Sequence, residues 1–378
     1  MIHKFSSCIA LILMAGFYPL HVAGSSFKDS SRLDWIQVSE DSTCFINKAS
    51  AKKFVAWGVN YDHDSRKPGR LIEDYWISEW DTVVADFKEM KQLGANVVRV
   101  HLQLPKFMDS ANSTNPESLN QLARLIKLAE SIGLYLDITG LACYRKNDIP
   151  EWYVNLDDAG RWQVQAYFWE AVAKVCKDSP AVFCYGLMNE PLIPAKGEAH
   201  KELLAGELGG FYYNQRLVLN IGERTQKQVA KEWIEKMVAA IRRQDSRHMV
   251  TLGVIPLAFY FPGAQPLFYD RDVCAKLDFV SVHFYPKHNE VDKALAGLKL
   301  YDIGKPLVIE EIFGLECTVE DADAFIEGGK SFADGWISFY WGKTIEELAS
   351  TGKFGDTWVS NWFKYFKNKS VDILQTSK

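Results

Sequence analysis

The sequence predicts an α/β fold: a single closed (β/α)8 (TIM) barrel preceded by a short N-terminal hairpin. Three observations carry that expectation. Eight short apolar segments recur along the chain, helical patterns separate them, and the alternation fills about 290 residues, the size of such a barrel with insertions.

The apolar segments are residues 54–61 (FVAWGVNY), 96–102 (NVVRVHL), 134–140 (LYLDITG), 182–190 (VFCYGLMNE), 248–255 (HMVTLGVI), 278–286 (DFVSVHFYP), 306–312 (PLVIEEI) and 335–342 (GWISFYWG). They are continuous runs rather than alternations, as strands buried on both faces of a parallel sheet require. The helices between them are equally legible. Asp81 stands where a cap opens a helix over 81–94, with Val83, Val84, Phe87 and Met90 on one face and Gly94 at its end. Thr225 and Gln228 make a capping box ahead of Val229, Trp233, Met237 and Ile241 at helical spacing. A doubly wound open sheet would carry a glycine-rich phosphate turn after its first strand, and Trp57-Gly58-Val59-Asn60 is not one. No internal repeat or Pro/Ser-rich linker interrupts the pattern, so residues 25–378 read as one domain. Residues 33–53 read as a lead-in hairpin closing the barrel's bottom.

Composition narrows the function. The 378 residues carry 43 Lys+Arg against 48 Asp+Glu, a formal charge of −5, with 48% hydrophobic and 13% aromatic residues. This excludes a disordered chain, a collagen-like repeat and a disulfide mini-scaffold. Mild acidity without a basic stripe also argues against a nucleic-acid binder.

Residues 1–24 read as a signal peptide: Lys4, the apolar run Cys8 to Phe17, then Val22-Ala23-Gly24 before Ser25. The run is too short for a membrane span, so a secreted or periplasmic protein is expected. Beyond Cys8 there are six cysteines, Cys44, Cys143, Cys176, Cys184, Cys274 and Cys317, with no CxxC pair. An exported chain allows disulfides among them, and buried free thiols are the alternative.

In such barrels chemistry sits at the C-terminal ends of the strands. Those ends offer Asn60, Arg99, Asn189, Glu190, His283, Tyr285, Glu311 and Trp341. Two carboxylates on different strands, with a guanidinium, a phenol and an indole around them, suit acetal cleavage. One carboxyl gives a proton to the leaving oxygen, and the other attacks or stabilises the anomeric carbon.

Asn189-Glu190-Pro191 closing the fourth strand and Glu311 closing the seventh resemble the retaining (β/α)8-barrel glycosidase clan. With Arg99, His283-x-Tyr285, Lys305-Pro306 and Trp341 in order, the chain most resembles glycoside hydrolase family 5, the cellulase and mannanase family. The resemblance runs from about residue 33 to the C-terminus. It implies that Glu190 is the acid/base and Glu311 the nucleophile. Asn189 would bind the sugar 2-hydroxyl, Arg99 and Tyr285 would hold the nucleophile ionised, and Trp341 would floor the reacting subsite. Asn60 and His283 complete the expected substrate-binding set. No metal or other cofactor is implied.

The residues support these roles independently. An always-charged arginine favours an ionised carboxylate beside it, and Arg99 within an apolar strand needs a buried acceptor. Glu310 and Glu311 are adjacent, and strand parity together with the count from Pro306 selects Glu311. His283 reads equally as a satisfied core histidine. Trp336, of opposite parity to Trp341, reads as packing. His63 between Asp62 and Asp64 suggests a metal site only superficially, since nothing else supplies matching ligands.

Aromatics crowd the segments expected as βα loops: Tyr75, Trp76, Trp80, Trp152, Tyr153, Trp162, Phe211 to Tyr213 and Phe259 to Phe261. Such rings suit the apolar faces of pyranoses, and the alternative is that about half of them simply pack helices on the barrel. The insertion Leu192 to Glu223, with four glycines, suggests a flexible lip on a cleft. The third strand lacks the histidine that often ends it in the family, so substrate identity is not carried over. Asn112-Ser113-Thr114 and Asn368-Lys369-Ser370 match glycosylation sequons.

The expectation is thus an exported monomeric retaining β-glycosidase acting on a carbohydrate, β-mannan or β-glucan first and a glycolipid still open. A catalytically silent carbohydrate-binding barrel and a metal-dependent barrel hydrolase are the competing readings.

Overall fold

Eight parallel strands close into a barrel in the computed structural model: β1 (Ala56–Asn60), β2 (Val97–Gln103), β3 (Tyr135–Ala142), β4 (Val182–Asn189), β5 (Met249–Val254), β6 (Val280–His283), β7 (Leu307–Glu311) and β8 (Gly335–Phe339). Neighbours in sequence pair in turn, and β8 returns to β1 with Phe339 opposite Asn60. The structure describes residues 33–375 except positions 68 and 262. The signal segment expected at residues 1–24 lies outside the described residues. Each strand lies on its apolar run, with β2 and β3 continuing past theirs to Gln103 and Ala142, because side chains on both faces meet protein: barrel filling on one side, helices on the other.

Long helices cover seven of the eight repeats: α1 (Trp80–Gln92), α2 (Pro116–Ile132), α3 (Asp158–Cys176), α4 (Gln226–Arg242), α5 (Val291–Lys299), α6 (Val319–Gly329) and α7 (Phe354–Gln375). The capping box forms as expected at Thr225, whose side chain accepts from the Gln228 N–H. Helix α1 departs from expectation: Glu79 occupies the cap position without a side-chain bond, and Asp81 sits in the first turn. There its charge complements the helix dipole instead of capping a free N–H. After β5 only one turn of helix, Leu257–Tyr260, is present. Pro256, Pro262 and Pro266 make a longer helix there unfavourable.

The lead-in segment forms three antiparallel strands, Ile36–Val38, Phe45–Asn47 and Lys53–Phe54. Phe45 sits edge-on to Phe183 and Phe279, whose ring centroids lie 5.1 and 5.0 Å away. The apolar cluster around it includes Val97, Tyr135, Met249 and Val308, residues near the strand starts, so this sheet plugs the barrel's bottom. The insertion after β4 carries a paired ribbon at the edge of the cleft. Leu204–Leu208 and Phe211–Arg216 form a hairpin turning at Gly209 and Gly210, whose φ values of 64° and 91° only glycine adopts at little cost. Its second strand pairs in parallel with Pro191–Leu192, which anchors the ribbon directly behind Glu190.

All six described cysteines are free thiols, five buried and Cys44 half-buried. They are scattered through the barrel as small apolar fillers. Among the described residues no helix is long and apolar enough to cross a membrane.

Candidate active site

The ends of β4, β6 and β7 bring three groups together. Glu190 directly follows β4 with φ 45°, an unusual conformation for a residue bearing a side chain. Its N–H donates to the Gly253 carbonyl at 2.9 Å, tying the bend to β5. Glu311 is the last residue of β7. One carboxylate oxygen from each, together with a His283 ring nitrogen, lie within 4.8 Å of one another. His283 Nδ1 is 2.8 Å from Glu190 Oε1 and 3.4 Å from Glu311 Oε1.

Beneath them the Arg99 guanidinium, with no exposed surface, uses its whole fork. Nε donates to Thr139 Oγ1, one terminal nitrogen to both Asn60 Oδ1 and Glu311 Oε1, and the other to Asn189 Oδ1, each at 2.9 Å. Tyr285 donates its hydroxyl to Glu311 Oε2 at 2.6 Å. Asn60 is fully buried and donates to the Glu310 and Ser338 carbonyls at 2.9 and 2.8 Å. Asn60 and Arg99 therefore lie under the floor and position other groups; neither offers surface to a sugar, contrary to their expected place among the substrate contacts. Asn189, Tyr285 and Trp341 line the cavity, and His283, only 1% exposed, backs it.

Strand parity does not separate the two adjacent glutamates. Val282 pairs with Ile309 while the next residue, His283, pairs with Glu311, so Glu310 is the extra residue of a bulge. Both side chains consequently reach the barrel interior, at different depths. Glu310 is wholly buried, with Oε1 accepting from Ser281 Oγ at 2.6 Å and Oε2 3.5 Å from Arg99. Glu311 stands above it and faces the cavity.

The electrostatics follow from that layering. Burial opposes charge on Glu310, yet Arg99, His283 and Ser281 overcome it and hold the carboxyl down at about 2. Burial likewise opposes charge on His283, and Glu311, Glu190 and Glu310 lift it to about 9. Burial raises the Glu311 carboxyl, against the pull of His283, with Glu190 adding to the rise and Arg99 and Tyr285 resisting it. Asp137, behind Glu310, is pushed far up by burial and by that neighbour. His101 is driven far down by burial and by Arg99, and stays neutral.

The cavity above the pair has a volume of about 300 Å³. Trp341 and Phe339 lie parallel (3°, 5.5 Å apart) and Phe313 meets Trp341 edge-on at 5.0 Å, giving an apolar floor on one side. Tyr213 and Leu208 of the ribbon form the opposite wall, and Asp62, His63 and His101 enter from β1 and β2. Most of the other loop aromatics pack the core instead. Tyr75, Trp76, Tyr153 and Trp162 are buried, because large rings at helix starts find more apolar area against the barrel than over the cleft. Trp336 is buried as expected. The acidic run near His63 divides: Asp62 pairs with His63 at 2.8 Å, while Asp64 accepts from Arg66 and Arg70.

Several contributors escaped the sequence reading. Asn214 of the ribbon donates to Glu190 Oε2, His101 meets Tyr144 and Asn60, and Phe313 and Phe339 build the floor. The first two depend on contacts between distant segments.

The family model described as cellulase (glycosyl hydrolase family 5) matches residues 62–371. The chain belongs to glycosyl hydrolase family 5. It is therefore a glycoside hydrolase, and the barrel is that family's fold. Comparison with curated proteins gives no match. Among solved structures the family 5 chain is similar to the exo-β-1,4-mannosidase of Opitutaceae bacterium strain TAV5, with 15% identity, TM-score 0.64, and coverage of 89% of this chain and 63% of that one. It thus spans less than two thirds of that protein's length. It is also similar to the β-mannanase of the blue mussel Mytilus edulis (15% identity, TM-score 0.59, 89% and 96% covered). The β-1,4-D-mannanase of Cryptopygus antarcticus is a third (15% identity, TM-score 0.59, 88% and 94% covered). At these identities the likeness establishes the shared fold.

Proposed function

We propose that this family 5 hydrolase is an exported retaining β-glycosidase whose preferred substrate is a β-1,4-mannan or its oligosaccharides, with β-glucan the competing substrate. The observation that carries the mechanism is the separation of Glu190 and Glu311, whose nearest donor oxygens lie within 4.8 Å. Retaining enzymes hold their carboxyls about 5–5.5 Å apart and inverting ones about 6.5–9.5 Å, leaving room for a water. The close approach of Glu190 and Glu311 supports the retaining arrangement. Glu311, held by Arg99 and Tyr285, attacks the anomeric carbon while Glu190 gives its proton to the departing glycosidic oxygen. Water then enters from the Glu190 side, loses a proton to it and displaces Glu311 from the sugar. Mannan leads because the three structural relatives named above are a mannosidase and two mannanases.

Product analysis by mass spectrometry after incubation with mannan, glucan, xylan and glycolipid tests the substrate. Glu190→Ala and Glu311→Ala should each abolish turnover, and azide should rescue Glu311→Ala with product of inverted configuration. Wild-type activity in either variant overturns the assignment. The same three groups lie close enough to bind one cation, so a metal-dependent hydrolase is the second reading. It requires that a chelator stop turnover, whereas the double displacement is indifferent to chelation. His283 raised towards imidazolium and paired with both carboxylates favours an ion-paired trio over metal ligands.

A further inference from the structure

Below the cavity, around Arg99 and the inner edge of His283, lie two buried carboxyls that take no part in the double displacement, Glu310 and Asp137. A charge buried this completely is costly unless its environment repays it, so its persistence calls for a role. The geometry points to Glu310 as a positioning residue. Its carboxylate, brought inward by the β7 bulge to 3.7 Å from His283 Nε2, holds that ring as the imidazolium whose Nδ1–H spans Glu190 and Glu311. This inference rests on the acid/base and nucleophile assignment proposed above.

Three observations converge. Glu310 Oε2 and His283 Nε2 are both buried without a hydrogen-bond partner, and each is the other's nearby opposite charge. The space between strands is reserved for them. A Cβ placed on Gly253 would lie 2.5 Å from Glu310 Oε2, 2.6 Å from His283 Nε2 and 3.1 Å from Arg99. Finally, Ser281 Oγ and Arg99 fix the carboxylate from two sides, so it cannot turn away. The purpose is electrostatic. Two carboxylates within 4.8 Å repel each other, and a cation wedged between them offsets the repulsion while leaving one proton to share. Glu311 and Glu190 pull the ring towards that cation from the cavity side, and Glu310, ionised behind it, adds to the pull. The other groups facing the ring or its partners are Arg99 and His101 on β2, Asp137 on β3, and Tyr285 beyond β6.

The test compares Glu310→Gln with Glu310→Asp in the full chain. The His283 ring, assigned by its loss in His283→Gln, is followed by nitrogen-15 NMR against pH, alongside kcat on an aryl β-mannoside. In the wild type the ring should stay charged above pH 8. In Glu310→Gln its titration should fall by about one to three pH units, and kcat should lose its alkaline arm over the same interval. Glu310→Asp, which keeps the charge, should titrate close to the wild type. A His283 titration unmoved in Glu310→Gln overturns the inference, as does an alkaline arm unmoved when the ring titrates lower. If Glu310→Gln does not fold, the wild-type ring decides alone: a neutral His283 at pH 7 overturns the inference, and a charged ring together with a wild-type-like Glu310→Asp supports it. Failure of the catalytic assignment is separate, since it would appear as turnover in Glu311→Ala.

Discussion

Replacing Arg99 by lysine keeps the charge and removes the fork. The wild-type guanidinium makes hydrogen bonds to Thr139, Asn60, Glu311 and Asn189, all at 2.9 Å and all buried. An ammonium presents three donors from a single point and cannot reach acceptors spread around a plane. At least two of the four bonds go unmade. Charge-assisted bonds contribute about 1.5–3 kcal/mol each, so the loss is roughly 3–6 kcal/mol. For a chain this long roughly 1.4 °C accompanies each kcal/mol, which puts the fall in Tm at roughly 4–8 °C. Turnover should suffer separately. Glu311 loses its nearest fixed donor, and kcat should drop by about 10²-fold, as when one preorganised donor is removed from a reacting site. Differential scanning calorimetry and kcat on an aryl β-mannoside read the two effects. A lysine variant that melts within 2 °C of the wild type and turns over at the wild-type rate would refute the account of Arg99 as the keystone under the site.

Three further outcomes are expected. Gly253→Ala should cost about 1–3 kcal/mol of stability by overpacking and lower kcat, because the added methyl meets Glu310 and His283 at 2.5 and 2.6 Å; chemical denaturation and steady-state kinetics check both. Thr225→Ala removes the capping box of α4 and should cost about 1 kcal/mol with kcat unchanged. Glu73 is lifted by burial to about 7 while accepting from the Gln103 N–H. The folded state therefore binds a proton that the unfolded chain has released, and this carboxyl's contribution declines as pH rises from about 4.5 to 7. Glu73→Gln should gain on the wild type in Tm across that interval; parallel melting curves would refute the raised carboxyl.

The barrel was legible because strands covered on both faces must be apolar along their length, and runs such as NVVRVHL and PLVIEEI have no other economical use in a globular chain. Arg99, charged in the middle of the first of these, announced a buried acceptor for the same reason. Helix starts were legible where a side-chain cap exists, as at Thr225, and misread at Asp81, where an acidic residue in the first turn looks like a cap. The aromatic surplus misled because composition does not say which side of a helix start faces the barrel. Tyr153 and Trp76 bury their rings where a platform was expected, while Phe339 and Phe313 were left out of the reckoning and form the floor.

By itself the sequence determined the eight-strand alternation, the two glutamates at separate strand ends and the residues that surround them, since each depends on local pattern or on a position along one strand. The tertiary structure decided what depends on register and depth. One extra residue in β7 turns both Glu310 and Glu311 inward, and no linear pattern distinguishes a bulge from regular pleating. Depth then assigns their places, Glu311 facing the cavity and Glu310 sealed beneath it against Arg99 and His283, because a carboxylate's behaviour is set by the charges and solvent it meets across strands rather than by its neighbours along the chain.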